Sequence, residues 1–118
     1  MNTYSYVDNI NMTELLPEFP TDGAIAELAD LFRLLGDPTR LRIVLACMDK
    51  SVAVSEIASS LTLSQSLVSH HLRLLRGARI VKAERQGKQV FYTTADHHIS
   101  GVLSDMLEHI QEPHVESE

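Results

Sequence analysis

Apolar residues along this chain recur first at helical spacing, then at strand spacing, then at helical spacing again. Ile25, Leu28, Phe32 and Leu35 fall on one face of a helix predicted from about Asp22 to Leu35, with Gly36 placed to close it. Asp37 as N-cap and Pro38 at the first helical position restart the chain in a second helix, expected to run to about Met48. A short third helix, about Val54 to Leu61, offers Ile57, Ala58 and Leu61 to a core; Thr62 and Leu63 then turn the chain. Ser64 caps a fourth helix from Gln65 to about Arg76. Its inward side is Val68, Leu72 and Leu75, with Leu67 and Leu74 expected alongside, and its outer side carries Gln65, Ser66, Ser69, His70 and Arg73. Two short helices joined by a tight turn, the second with a donor-rich outer face, make a helix-turn-helix.

The period changes after Arg79. Ile80–Gln86 and Gln89–Thr94, rich in Val, Phe, Tyr and Thr, read as two strands around Gly87-Lys88, a hairpin wing beside the fourth helix. A last helix follows, in which Ile99, Leu103, Met106 and Ile110 recur at steps of four, three and four, with Val102 and Leu107 widening the stripe. The expected fold is therefore mainly α with a β-hairpin wing: a winged helix-turn-helix that pairs as a homodimer. Residues 1–20 read as a loose arm with at most a helical turn around Met12 to Leu16, residues 21–112 as the domain, and residues 113–118 as a tail.

At 118 residues the chain holds one domain with a modest core that dimerisation would help. A single cysteine, Cys47, excludes an internal disulfide framework, and its apolar helix favours a small buried hydrophobe over a reactive thiol. No apolar run is long enough to span a bilayer, and no Lys or Arg precedes Arg33, unlike a signal peptide. A soluble, cytoplasmic protein is expected.

Net charge is −6, which would argue against nucleic acid if it were spread evenly. It is concentrated instead. From Gln65 to Gln89 lie Arg73, Arg76, Arg79, Lys82, Arg85 and Lys88 against the single acid Glu84, whereas beyond Tyr92 there are six acids and no Lys or Arg. A basic middle between acidic ends lets one face meet phosphates. Double-stranded DNA is the expected partner, read by Gln65, Ser66, Ser69, His70 and Arg73, with Lys82, Arg85 and Lys88 of the wing on neighbouring backbone.

Candidate metal ligands stand at the two ends of the last helix. Asp96 and His98 open it, and His109 and Glu112 lie near its end. At about 1.5 Å per residue the two histidines are roughly 16 Å apart, too far to grip one ion within a chain. Eleven steps of about 100° nevertheless return to nearly the same direction, so both project from one side of the helix. The pairs 98/109 and 96/112 share a midpoint near Ser104, so an antiparallel copy of the helix would bring two imidazoles and two carboxylates together at each end. Such a set suits tetrahedral Zn²⁺. Asp96 also makes a good N-cap with no metal present, and the apolar stripe would equally serve an internal core contact.

The run Leu35-Gly36-Asp37-Pro38-Thr39-Arg40-Leu41-Arg42-Ile43, the stretch Ser64-Gln65-Ser66-Leu67-Val68-Ser69-His70-His71-Leu72 and the wing Arg85-Gln86-Gly87-Lys88-Gln89-Val90-Phe91-Tyr92 resemble, in order, the ArsR/SmtB family of bacterial metal-responsive repressors. The resemblance implies a winged-helix homodimer that occupies its operator when metal-free and leaves it when metal binds. Relatives that sense thiophilic ions carry a two-cysteine box on the helix before the recognition helix; Ala53 and Ser55 stand at the matching positions here, with no thiol. Relatives that sense zinc carry Asp-x-His and His-x-x-Glu or His-x-x-His on the last helix, which Asp96, His98, His109 and Glu112 match. The resemblance thus implies Zn(II) at two inter-subunit sites per dimer, controlling metal efflux or sequestration genes. His114 falls where nickel- and cobalt-sensing relatives have an added histidine, and more than four N/O ligands would favour octahedral Ni(II) or Co(II).

Two other classes stay in view. A metallohydrolase would need a base beside the metal set and a substrate pocket, and the chain has no His-Glu-x-x-His motif, no candidate base placed beside that set and little room for a pocket in so small a domain. A winged-helix protein-interaction module would lack salt-sensitive duplex binding, which a repressor requires. No enzymatic activity is expected.

Overall fold

The computed structural model describes residues 18–113, so the arm up to residue 17 and the tail from His114 lie outside the described residues. The chain divides into two compact units at Phe32/Arg33. Up to Phe32 the described part is mostly helix α1 (Asp22–Leu35), whose last turn enters the second unit. Thr21 starts it by accepting the Ala24 N–H on Oγ1 at 3.1 Å. The expected apolar face is present but uncovered: Ile25, Leu28 and Phe32 are all exposed.

The second unit continues with α2 (Pro38–Ala46), β1 (Val52–Ala53), α3 (Val54–Leu61), α4 (Gln65–Gly77), β2 (Val81–Gln86), β3 (Gln89–Thr94) and α5 (His97–Gln111). Asp37 caps α2, its carboxylate accepting the Arg40 N–H at 3.0 Å, with Pro38 in the first turn. That bond holds the Asp37 carboxyl below its ordinary value. α2 stops at Ala46, two residues short of the expected Met48. The Cys47 and Met48 N–H groups tighten onto the carbonyls of Val44 and Leu45, and Asp49 takes a left-handed φ of 60°.

Two more helices close with a residue other than glycine in the left-handed position. Thr62 (φ 58°) and Arg79 (φ 61°) both sit left-handed just past a helix end. In each the following residue reaches back over the last turn, Leu63 N–H to Ala58 carbonyl and Ile80 N–H to Leu75 carbonyl, both at 2.9 Å. With the Thr62 N–H on Ser59 and the Arg79 N–H on Arg76, these are Schellman closures. The second also corrects the strand boundary: Ile80 belongs to the helix closure, and β2 begins at Val81.

β2 and β3 pair antiparallel from Val81↔Thr94 to Gln86↔Gln89, leaving the two-residue loop Gly87-Lys88. Gly87 has φ +63°, which the primed turns of tight hairpins need at their first position. The sequence reading missed β1, whose Val52 and Ala53 pair with Tyr92 and Phe91 to make the three-stranded order β1-β3-β2. The core lies where the helices meet this sheet: Ile43, Val44 and Cys47 of α2, Ile57 and Ala58 of α3, Val68, Leu72 and Leu75 of α4, with Ile80, Val81 and Tyr92. Leu67 and Leu74, expected alongside that inward face, are exposed instead, because they lie about 100° or more around α4 from the buried line.

Candidate nucleic-acid interface and metal-ligand pairs

The turn Thr62-Leu63-Ser64 hands α3 to α4, and the Ser64 hydroxyl accepts the Leu67 N–H at 3.1 Å, fixing where α4 begins. With Val68, Leu72 and Leu75 fully buried, Ser66, His70 and Arg73 point outward and are exposed. Gln65 and Ser69 turn out to occupy a flank. They line a cleft of about 360 Å³ together with Lys88, Gln89 and Val90 of the wing and with Ala53, Val54 and Ser55. The donor-rich face is thus a helix plus a groove leading to the hairpin tip.

His71 packs beneath this face. Its Nδ1 is buried with no hydrogen-bond partner among the described residues, and its ring lies 5.8 Å from that of His70. Burial pulls the His71 imidazole below its ordinary value, reinforced by the Arg40 charge and opposed by Asp37. Arg40 in turn donates from Nε to the Leu34 carbonyl at 2.9 Å.

Among the wing cations, Lys88 stands in the turn and Arg85 in the second pair from it, opposite Val90. Lys82 is different. It pairs with Thr93 at the base of the hairpin, the opposite end of β2 from the turn.

Asp96 is the N-cap of α5: its Oδ1 accepts the N–H groups of His98 at 3.0 Å and Ile99 at 3.1 Å. The Ile99 N–H is the largest cause holding the Asp96 carboxyl below the ordinary carboxylate range, and the His98 ring acts in the same direction. His98 Nδ1 lies 3.6 Å from that same Oδ1, and the His98 side chain is 93% exposed. Asp96 and His98 therefore stand together, open to solvent. His109 and Glu112 are exposed at the other end of α5, with Glu112 as its C-cap residue. Among the described residues no three potential ligands gather around one point, so a single chain presents two half-sets. His114 lies outside the described residues.

The stripe between the half-sets divides into two. Ile99, Leu103 and Leu107 are half-buried, whereas Val102, Met106 and Ile110 are exposed, the last at 72%. On a regular helix Val102 points within about 40° of both His98 and His109, so the uncovered apolar row runs beside the candidate ligand pairs.

Cys47 is excluded as a reactive group. It is fully buried, its thiol donates to the Ile43 carbonyl at 3.5 Å, and burial pushes its pKa up to about 11.

A recognition helix held by a buried triad, a two-residue-tipped wing and a polar cleft between them define a winged helix-turn-helix regulator. Residues 37–83 match the family described as bacterial regulatory protein, arsR family. The chain is 35% identical over 99 residues to the transcriptional repressor SmtB homolog of Synechocystis, covering 84% of this chain and 75% of that protein. It is 31% identical over 100 residues to the HTH-type transcriptional regulator NmtR of Mycobacterium tuberculosis, covering 84% and 83%. The solution structure of apo-NmtR superposes with a TM-score of 0.70 at 30% identity, covering 87% of each chain. This chain belongs to the ArsR/SmtB family of bacterial transcriptional regulators; it is a DNA-binding regulator and not an enzyme. Among the described residues no helix is long and apolar enough to cross a membrane.

Proposed function

We propose that this protein is a metal-responsive repressor that holds its operator as a metal-free homodimer and releases it when Zn(II) binds. The observation that carries the reading is the layout of α5, with one carboxylate–imidazole pair at each end and an uncovered Val102–Met106–Ile110 row between them. Two such helices packed antiparallel would bury that row and bring Asp96 and His98 of one protomer to His109 and Glu112 of the other, twice per dimer.

The donors fit the ion chemically. Two nitrogens and two oxygens make a four-coordinate borderline set. The N-cap role does not use up Asp96, because its backbone bonds and its contact to His98 all run to Oδ1 and Oδ2 can serve as ligand. Bound metal supplies a cross-link between protomers, and the protein converts that cross-link into a difference in DNA affinity between two dimer geometries. Ser66, His70 and Arg73 face the major groove, Gln65 and Ser69 the cleft beside it, and Lys88 with Arg85 the adjoining phosphates, with Lys82 at the hairpin base. The regulated genes then serve metal efflux or sequestration.

The second reading, Ni(II) or Co(II) with His114 as an additional ligand, follows from the position of that histidine just past Pro113. Paired Zn²⁺ and Ni²⁺ titrations of wild type and His114→Ala, with operator release as readout, separate the two. Zinc-driven release unchanged in the variant supports the four-ligand site. Release of wild type by Ni²⁺ alone, lost in the variant, makes the nickel reading correct.

A further inference from the structure

Neighbouring residues on a helix point about 100° apart, and α4 thereby gives two adjacent histidines opposite surroundings. His70 is exposed on the donor-rich face with Ser66 and Arg73. His71 is half-buried and stands one turn from Val68 and from Leu75, both fully buried, so its ring belongs to the edge of the core on which the recognition helix sits. Its Nδ1 is shut off from solvent with no hydrogen-bond partner among the described residues. Three groups act on it electrostatically: Arg40 and Asp37 at the start of α2, and His70 on its own helix. Both α2 groups are tied down. The Asp37 carboxylate accepts the Arg40 N–H at 3.0 Å as the helix cap, and Arg40 Nε is held on the Leu34 carbonyl at 2.9 Å. A neutral imidazole fits such a seat. A proton on His71 would set a second positive charge beside a fixed guanidinium and make Nδ1 a donor with no acceptor.

We propose that His71 is a positioning residue for operator recognition that works only as neutral imidazole: it seats the recognition helix against the start of α2, and protonation unseats that helix without unfolding the chain. Sequence-specific binding by the metal-free protein is then acid-sensitive, and the proposal stands apart from the Zn(II) reading. His70 acts in the opposite sense. Exposed on the DNA side, it gains attraction to phosphate when charged, on any duplex. Acid thus strengthens non-specific binding while weakening recognition, and discrimination between duplexes falls from both sides.

Linkage bounds the size of the effect. If the seated ring excluded the proton and the unseated ring took it up at the ordinary value of about 6.5, affinity at pH 5.5 would fall by about elevenfold for each recognition helix engaged. Burial lowers the seated value without abolishing protonation, so the loss lies below that limit, and at least about threefold is expected.

The test is fluorescence anisotropy of full-length, chelator-treated protein at pH 7.5 and 5.5 on two duplexes, one selected by wild type from a randomised pool and one unselected. His71→Phe, whose ring fills the seat and takes no proton, should match wild type on the selected duplex at pH 7.5 and exceed it by at least about threefold at pH 5.5. On the unselected duplex the two should stay together at both pH values. His71→Gln, an amide that does not titrate, should show the same pH-independence should phenylalanine fit poorly. His70→Gln should keep the acid loss on the selected duplex and lack the acid gain on the unselected one. A ratio of wild type to both His71 variants that does not change with pH would overturn the proposal, as would an acid loss that coincides with loss of the helical circular-dichroism signal. A wild type that selects no duplex at any pH would remove the repressor reading with it.

Discussion

A dimer assembled from one His98→Ala chain and one His109→Ala chain should bind one metal ion where the wild-type dimer binds two. The reasoning is geometric. Both histidines lie on α5, eleven residues apart, which at about 1.5 Å per residue separates them by roughly 16 Å along the axis. Ligand nitrogens on one zinc must each lie about 2.0–2.1 Å from the metal, so their mutual distance cannot much exceed 4 Å. Side chains projecting from the same face of one helix cannot close the remaining gap, and each ion must take its imidazoles from two chains. In the mixed dimer one end retains His98 of one protomer and His109 of the other, while the opposite end has neither. Each homodimeric variant keeps only one imidazole per site, and affinity should fall by more than about 100-fold, beyond what loss of an outer hydrogen-bond partner typically costs. The assay uses differentially tagged chains, tandem purification, and Co²⁺ absorption with zinc stoichiometry by equilibrium dialysis. Two tight sites, or none, in the mixed dimer would refute cross-chain ligation.

Three further outcomes are expected. Arg73→Ala should reduce discrimination between operator and random duplex, whereas Lys88→Ala should weaken all duplexes alike and lower the salt slope by about one unit; equal loss of discrimination in a fluorescence-anisotropy salt series would contradict that division. Thr62→Gly should stabilise the fold by about 0.5–1 kcal/mol, the relief of a β-branched residue in the left-handed region less the backbone freedom glycine adds to the unfolded chain; a lowered midpoint in urea would show the strain argument to be wrong. Burial lowers the His71 imidazole value, so as pH falls through about 6.5 the unfolded chain takes up its proton more readily than the fold does. Its contribution is therefore present above that pH and lost below it, and urea unfolding at pH 7.5 and 5.5 should show a steeper loss for wild type than for His71→Phe. An identical loss in both proteins would remove His71 from the account.

Much of the architecture was legible because it is written locally. Asp37-Pro38, Ser64 and Asp96 cap three helices, as side chains three or fewer residues from the N–H groups they bind must. The wing follows from β-formers around Gly87, with both hairpin strands within a residue of their expected bounds. What was not legible is non-local. β1 has only two residues and exists through its pairing with β3, some forty positions away. The left-handed closures at Thr62 and Arg79 carry none of the glycine that usually marks them, and the end of α2 is set partly by Thr94, which receives Asp49 and donates to Cys47. The residues proposed as ligands were chosen by type and spacing alone, and nothing along the chain tells that Lys82 shares a notch with Asp96 while Gln65 and Ser69 turn toward the wing.

With Asp96 and His98 at one end of α5 and His109 and Glu112 at the other, a solitary chain can offer an ion only two donors at a time. Cross-chain ligation would then make metal affinity depend on the abundance of the protein itself, since dilution below the dimer dissociation constant dismantles the binding site without altering a single ligand. Zinc would in turn hold dilute chains together. A cell carrying such a regulator would set its response threshold by copy number as well as by coordination chemistry, and a strain making fewer copies would respond as though the metal were scarcer.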